Sequence, residues 1–375
     1  MRILKPLIKW TGGKSSEIKH IVDIIPEYER YIEPFFGGGA LFFYLKPKKA
    51  IINDISNNLM DFYKLVKKGS EVFKKELFQY VIHWNRIVDF IEPLFPEIIN
   101  IYDKFSINNL SEYQLEEEIN RIFDENSSIF FSMFEEDFCI EQFCLFESIR
   151  KSLLTRIFKI KKKIDKNNNF NSSDIREHIE TGVKSGFYYH FRDILNQKLD
   201  SKNEITKEKK IANYYFIREY CFGGMFRHND SGEFNIPYGG INYNKKDFSK
   251  KIKYVISEDV KNLFRNTIIK NMDFEKAIIE SKLTNNDFMF IDPPYDSVFS
   301  KYGDNNFSKK DHQRLANILS KTKSNFIIII KETPFISELY SDKRKFEMTS
   351  FSKTYTSNIK SRYNRDVKHL IVTKK

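Results

Sequence analysis

The chain has 375 residues, with 62 Lys and Arg against 51 Asp and Glu, a formal net charge of +11 and three cysteines. That length allows one large domain or two to three smaller ones, and a hydrophobic share of 41% is enough for a sizeable core. A membrane-spanning protein is excluded, since no stretch nears the roughly 18 apolar residues of a spanning helix, and so is a cysteine scaffold, since Cys139, Cys144 and Cys221 form neither an even set nor a ligand pattern.

The basic excess favours a polyanionic partner, nucleic acid first, although a solvated lysine-rich surface would give the same number. Phe at 36 and Tyr at 20 are many, and a ring left outside the core can stack on a base. The N-terminus lacks the apolar run of a leader, and three unpaired cysteines fit a reducing compartment. The expectation is a cytoplasmic protein with no membrane partner.

In chain order, Lys9-Trp10-Thr11-Gly12-Gly13-Lys14 comes first. A Trp with two glycines can cap a ligand and Lys14 can reach a carboxylate, while a mobile Lys-rich end would look the same. Arg30 to Glu33 reads as a short strand. It runs into the glycine turn Glu33-Pro34-Phe35-Phe36-Gly37-Gly38-Gly39, and Ala40 to Leu45 then opens a helix. Glycines there let the backbone approach a ligand, and the helix start offers N–H groups. Ala50 to Asn53 is a second strand. Asp54 ends it, where a carboxylate can hold ribose hydroxyls. Helical periodicity follows from Asn57 to Val66. This βαβα pattern argues for a parallel sheet.

From about residue 85 to 180 the pattern is helical and charged, with runs at Glu116–Glu118 and Lys161–Lys163. Phe130, Phe131, Phe134, Phe138 and Phe143 read as core, and His83, Trp84 and His178 as structural. Asn167 to Ser173 and the Lys-rich Ser201 to Lys210 read as loops. A Gly-rich segment, Cys221 to Gly240, comes next.

The α/β pattern then returns. Phe288 to Ile291 is a strand, Lys309 to Leu319 an amphipathic helix, Phe326 to Ile330 a buried parallel strand and His369 to Val372 a last strand. The middle is therefore an insertion in one α/β domain, with pieces expected at 1–68, 69–260 and 261–375.

The motif that carries chemistry is Phe290-Ile291-Asp292-Pro293-Pro294-Tyr295. Two prolines stop the strand and stiffen the turn, since each fixes φ and lacks an N–H. Asp292 falls at the carboxyl edge of the sheet, where ligands bind in open α/β folds. A carboxylate and a rigid carbonyl can accept both hydrogens of an amino group, which leaves the nitrogen lone pair to attack. Tyr295 offers a flat face to a ring.

With Lys9–Lys14, Glu33–Ala40 and Asp292–Tyr295 in this order, the chain resembles the Dam-like (class alpha) N6-adenine DNA methyltransferases. Tyr188-Tyr189-His190-Phe191-Arg192 is similar to the start of that family's target-recognition region. Cys221 to Gly239 resembles its base-reading hairpin, above all in Gly232-Glu233-Phe234-Asn235-Ile236-Pro237-Tyr238-Gly239. The resemblance spans roughly residues 1–83 and 185–375. It implies an α/β, Rossmann-like S-adenosylmethionine-dependent methyltransferase sheet with an inserted, mainly helical target-recognition domain.

The resemblance further implies residue roles. Trp10, Lys14, Glu33, Phe35, Gly37, Gly39, Asp54 and Asp292 would form the S-adenosylmethionine site, with Asp273 or Phe274 beside its adenine. Asp292 and the Pro293 carbonyl would hold the amine of a flipped adenine, and Tyr295 would stack on it. No metal is expected. Phe222, Met225, Arg227, Asn229 and Pro237 would meet duplex DNA. Arg227 would read guanine through O6 and N7 together, although a phosphate contact is the alternative. Gly223 and Gly240 replace polar and basic residues of the family pattern, which puts GATC in doubt as the target and leaves the recognition sequence open. The implied partners are duplex DNA and a cognate restriction endonuclease, and the implied state is a monomer.

Three other readings compete at this point. One is an amine methyltransferase on RNA adenine or protein glutamine; the glutamine enzymes carry Asn where Asp292 stands. Another is a DNA-binding regulator on a catalytically dead scaffold, against which the intact Asp292–Tyr295 and Gly37–Gly39 speak. A third is a nucleotide-binding α/β protein, which leaves the motif order unexplained.

Overall fold

The computed structural model describes residues 4–10, 12–14, 16–164, 170–199, 205–295, 301–302, 305–354 and 366–375. Two compact units emerge. One comprises Met1–Gly69, Phe226–Gly232 and Val255–Lys375, the other Ser70–Met225 and Glu233–Tyr254. Among the described residues no helix is long and apolar enough to cross a membrane.

The first unit is built on a seven-stranded sheet. Its strands are β1 (Arg30–Glu33), β2 (Ala50–Asn53), β3 (Thr267–Lys270), β4 (Asp287–Ile291), β5 (Asn325–Lys331), β6 (Phe346–Thr354) and β7 (Asp366–Lys374). In space they run β3-β2-β1-β4-β5-β7-β6. The first five are parallel, and β7 lies antiparallel between β5 and β6. The central strands β2, β4 and β5 are Ile- and Phe-rich and buried throughout their interiors, as strands with both faces covered must be.

The chain leaves β1 toward β2 on one side, and β4 leads toward β5 on the other. The carboxyl ends of β1 and β4 therefore flank a topological switch point, where open α/β sheets bind ligands. A shared core joins Ile32, Met289, Ile291, Leu315, Leu319, Ile328 and Val372.

Strands β3 and β6 are additions to the sequence reading. β3 is a four-residue edge strand with Ile268 exposed. β6 forms the opposite edge, with Phe346 buried and Met348 exposed. Neither carries the continuous apolar run that marked β4 and β5.

The second unit is helical. Its long helices are Glu71–Ile91, Gln142–Ile164, Ser172–Leu195 and Lys207–Tyr220. Gly186 lets two of them touch backbone to backbone, since a Cβ there would stand 2.3 Å from Ile149 Cα. Phe130, Phe134 and Phe138 are buried, as expected of core rings. Phe143 is exposed, a correction: it lies about half a turn round its helix from the buried Leu145. Lys207 to Lys210, expected in a loop, opens a helix instead, because the Thr206 hydroxyl caps it by accepting from Lys209 N–H.

Candidate active site at the carboxyl edge of the sheet

One buried amide organises the switch point. Asn53 Nδ2 donates to the carbonyls of Pro34 and Met272, 3.0 Å each, and its Oδ1 accepts from Met272 N–H at 3.0 Å. The ends of β1 and β2 and the loop after β3 are thereby tied together. The sequence offered only a polar residue at a strand end as a sign of this, and its role went unread.

The glycine turn follows. Gly37 and Gly39 have φ of +48° and +66°, which L side chains adopt only under strain. Gly37 N–H donates to Asp54 Oδ2 and Ser56 N–H to Asp54 Oδ1, both at 2.9 Å. Asp54 thus buckles the turn to the end of β2. Trp10 packs over Gly37 and Gly38, and its ring lies 5.0 Å from that of Phe226.

Three carboxylates share this edge. Burial pushes Glu33 well above the usual range; the Tyr31 hydroxyl, donating at 2.8 Å, opposes this, and the charges of Asp292 and Asp54 add to it. Burial also raises Asp54, against the pull of its backbone donors. The third, Asp292, leaves the end of β4 and is partly exposed.

Lys14 is the counterion. Its Nζ lies 2.5 Å from Asp292 Oδ1, donates to the Tyr295 hydroxyl at 3.1 Å and to the Gly12 carbonyl at 3.0 Å. All three ammonium protons have acceptors. The carboxylate that Lys14 reaches belongs to the Asp292–Tyr295 turn itself, which the spacing alone did not reveal. Pro293 is buried, and Tyr295 is half-buried beside Asp292.

An aromatic wall stands nearby. Phe35 stacks on Phe274 at 5.2 Å and meets Phe307 edge-on at 5.5 Å. Asp273 caps the Phe274–Glu280 helix and accepts from Arg314 at 2.7 Å, so it serves the scaffold of that wall.

The proposed DNA-contacting residues divide between the units. In the helical unit Cys221 and Tyr238 form an antiparallel bridge, and Phe222 N–H donates to the Pro237 carbonyl at 2.8 Å. Phe222, Met225 and Pro237 are exposed. Arg218 is fully buried beneath them. Its guanidinium donates to the carbonyls of Met225 (2.6 Å) and Gly224 (3.3 Å). Arg227 and Asn229 belong to the sheet unit's segment Phe226–Gly232. Arg227 is exposed, and Asn229 closes a turn by accepting from Ser231 and Gly232 N–H.

The sequence matches the D12 class N6 adenine-specific DNA methyltransferases over residues 10–173 and 152–357. It is 26% identical to Type II methyltransferase M.CviBI of Paramecium bursaria Chlorella virus NC1A, over 96% of this chain and 94% of that one. It is 26% identical to Type II methyltransferase M1.LlaDCHI of Lactococcus lactis subsp. cremoris, over 99% and 95%. It is 27% identical to Type II methyltransferase M.MjaIII of Methanocaldococcus jannaschii, over 85% and 80%. An α/β sheet with the Asp292–Tyr295 turn at its switch point, and a family match across most of the sequence, lead to one conclusion: the chain belongs to the D12 class N6 adenine-specific DNA methyltransferases and is a site-specific DNA adenine methyltransferase.

Proposed function

We propose that the chain uses S-adenosylmethionine to methylate N6 of one adenine turned out of duplex DNA, with Asp292, Pro293 and Tyr295 as its catalytic residues. The observation that carries this reading is the Asp292–Tyr295 turn at the switch point, held by Lys14.

The donor set suits the cofactor. Two carboxylates close enough to raise Glu33 form a repulsive cluster with it, and a ligand bearing ammonium and sulfonium groups would relieve that repulsion. S-adenosylmethionine supplies an electrophilic methyl group when bound. Trp10, Lys14, Glu33, Gly37, Gly39, Asp54 and Asp292 would line the site, and Phe35 would offer its ring to the adenine moiety.

The residues of the chain then do three things. Asp292 accepts one hydrogen of the amine on lone pairs beyond the one Lys14 uses, and the Pro293 carbonyl accepts the other. Tyr295 stacks on the extruded base, which returns about 1–3 kcal/mol of the unstacking cost. Asp292 takes up the proton that N6 gives up on methylation. Positioning and hydrogen bonding supply the acceleration.

The unit Ser70–Met225 with Glu233–Tyr254 would be the target-recognition domain. Phe222, Met225 and Pro237 would touch the duplex there, and Arg227 and Asn229 would touch it from the sheet unit. The Type II names of the relatives support a restriction-modification setting with a cognate endonuclease. The resemblance favours a monomer, and three cysteines without a disulfide pattern favour a reducing, cytoplasmic setting.

The test is expression in a host lacking adenine methylation, followed by modification-sensitive sequencing. N6-methyladenine confined to one short motif, and absent with an Asp292→Ala variant that still binds DNA, is expected. Methylation by Asp292→Ala would overturn the mechanism.

A further inference from the structure

Lys14 does not hold the end of β4 alone. Glu17 and His369 are 1% and 0% exposed, and no step above uses them. Glu17 follows Lys14 in the same turn, and its N–H donates to the Lys14 carbonyl at 2.8 Å. Its Oε2 lies 3.2 Å from His369 Nδ1. A carboxylate can only accept, which assigns the imidazole proton to Nδ1.

His369 stands on β7, in register with Lys331 of β5 and Phe351 of β6. Its ring meets Tyr295 edge to face, with centroids 5.6 Å apart and planes at 77°. On another side it contacts Phe351 at 5.5 Å. Tyr295 accepts from Lys14, and Lys14 pairs with Asp292. The contacts close a circuit from Lys14 to Tyr295, His369, Glu17 and back to Lys14.

A buried acid and imidazole are costly to desolvate, and an apolar pair of similar size would fill the space without that cost. What the polar pair adds is direction. The hydrogen bond fixes the plane of the imidazole, and the imidazole sets the plane of the phenol ring packed on it.

We propose that Glu17 and His369 are positioning residues, which fix the ring of Tyr295, and through Lys14 the Asp292 carboxylate, for the extruded adenine. This rests on the reading that Tyr295 stacks on that base.

The test uses the full chain and a duplex carrying the motif found by sequencing. Single-turnover methylation rate, S-adenosylmethionine affinity and duplex affinity are measured for each variant. His369→Ala and Glu17→Leu should each slow methylation about ten- to a hundredfold, with both affinities within about twofold of the parent. Glu17→Gln keeps an acceptor for Nδ1–H and should restore most of the rate. The double variant Glu17→Leu/His369→Ala should be no slower than the worse single one.

The decisive comparison is His369→Ala in a Tyr295→Ala background. No further loss is expected there, because His369 acts through that ring. The same loss as in the parent would overturn the proposal. A Tyr295→Ala variant with the parent's rate would instead sink the base-stacking reading itself. Should a single variant fail to fold, Glu17→Leu/His369→Phe replaces the pair by apolar side chains. A slow, stably folded protein is then expected, and a parental rate would overturn the proposal.

Discussion

Trp10 lies across Gly37 so closely that a Cβ at Gly37 would stand 2.6 Å from Trp10 Cδ1 and 3.0 Å from Nε1. The glycine is required twice, by this approach and by its φ of +48°. Gly37→Ala should therefore weaken cofactor binding and destabilise the fold, by about 1–2 kcal/mol from backbone strain with the clash in addition. Adding Trp10→Ala removes the clash but not the strain, so the double variant should recover part of the stability. Thermal unfolding of the three proteins checks this, and an Ala variant as stable as the parent would contradict it.

Lys14 places a buried ammonium on Asp292 and Tyr295. Lys14→Met should lower kcat about ten- to a hundredfold, the worth of a charge-assisted hydrogen bond of about 1.5–3 kcal/mol. Lys14→Arg should not rescue it, because a planar fork cannot reproduce three bonds converging on a compact ammonium. Rates under saturating cofactor separate this loss from weaker binding.

The helical unit should lose stability on mild acidification. Burial holds His83 and His190 down to about 4; the Gln79 and Cys139 carbonyls, which accept from them, act the other way. Between the ordinary value of 6.5 and about 4 the unfolded chain binds protons that the folded one refuses. The contribution is whole above pH 6.5 and lost as pH falls to 4, up to about 3 kcal/mol for each ring. Glu33 in the sheet unit works the other way: its raised carboxyl takes a proton that the unfolded chain has released, so acid favours folding through that group. Urea unfolding at pH 7 and pH 5 measures both.

Arg218 props the carbonyls of Gly224 and Met225, in the loop that exposes Phe222 and Met225. Arg218→Lys should blur discrimination between the cognate duplex and single-base variants by about 1 kcal/mol, while salt-dependent non-specific binding stays unchanged. Arg227→Ala should relax specificity at one base pair at a cost of about 1–3 kcal/mol. A uniform loss across sequences would assign Arg227 to a phosphate.

The fold was legible wherever one local signal sufficed. The apolar runs of β4 and β5 fixed their place, and the polar stop after each strand marked the carboxyl edge. What stayed hidden was relational. Lys14 and Asp292 lie far apart in sequence and meet only because the N-terminal turn returns to the end of β4. Asn53 looked like an ordinary strand end until Pro34 and Met272 came to it. Edge strands β3 and β6 escaped notice because half their surface faces solvent and their pattern is diluted accordingly.

The order of the strands has a consequence for how the chain comes into being. Arg30 and Asp287 pair in register across β1 and β4 and form an ion pair, although 257 residues separate them. The whole helical unit is made in that interval, and its long helices pack on one another. During vectorial synthesis it can assemble while β1 still waits for β4 and β2 for β3. β6 has the shortest wait, since β7, the strand that joins it to the sheet, follows it directly. The same strand delivers His369, so the ribosome releases a competent site only after the part that would recognise its target has had time to form.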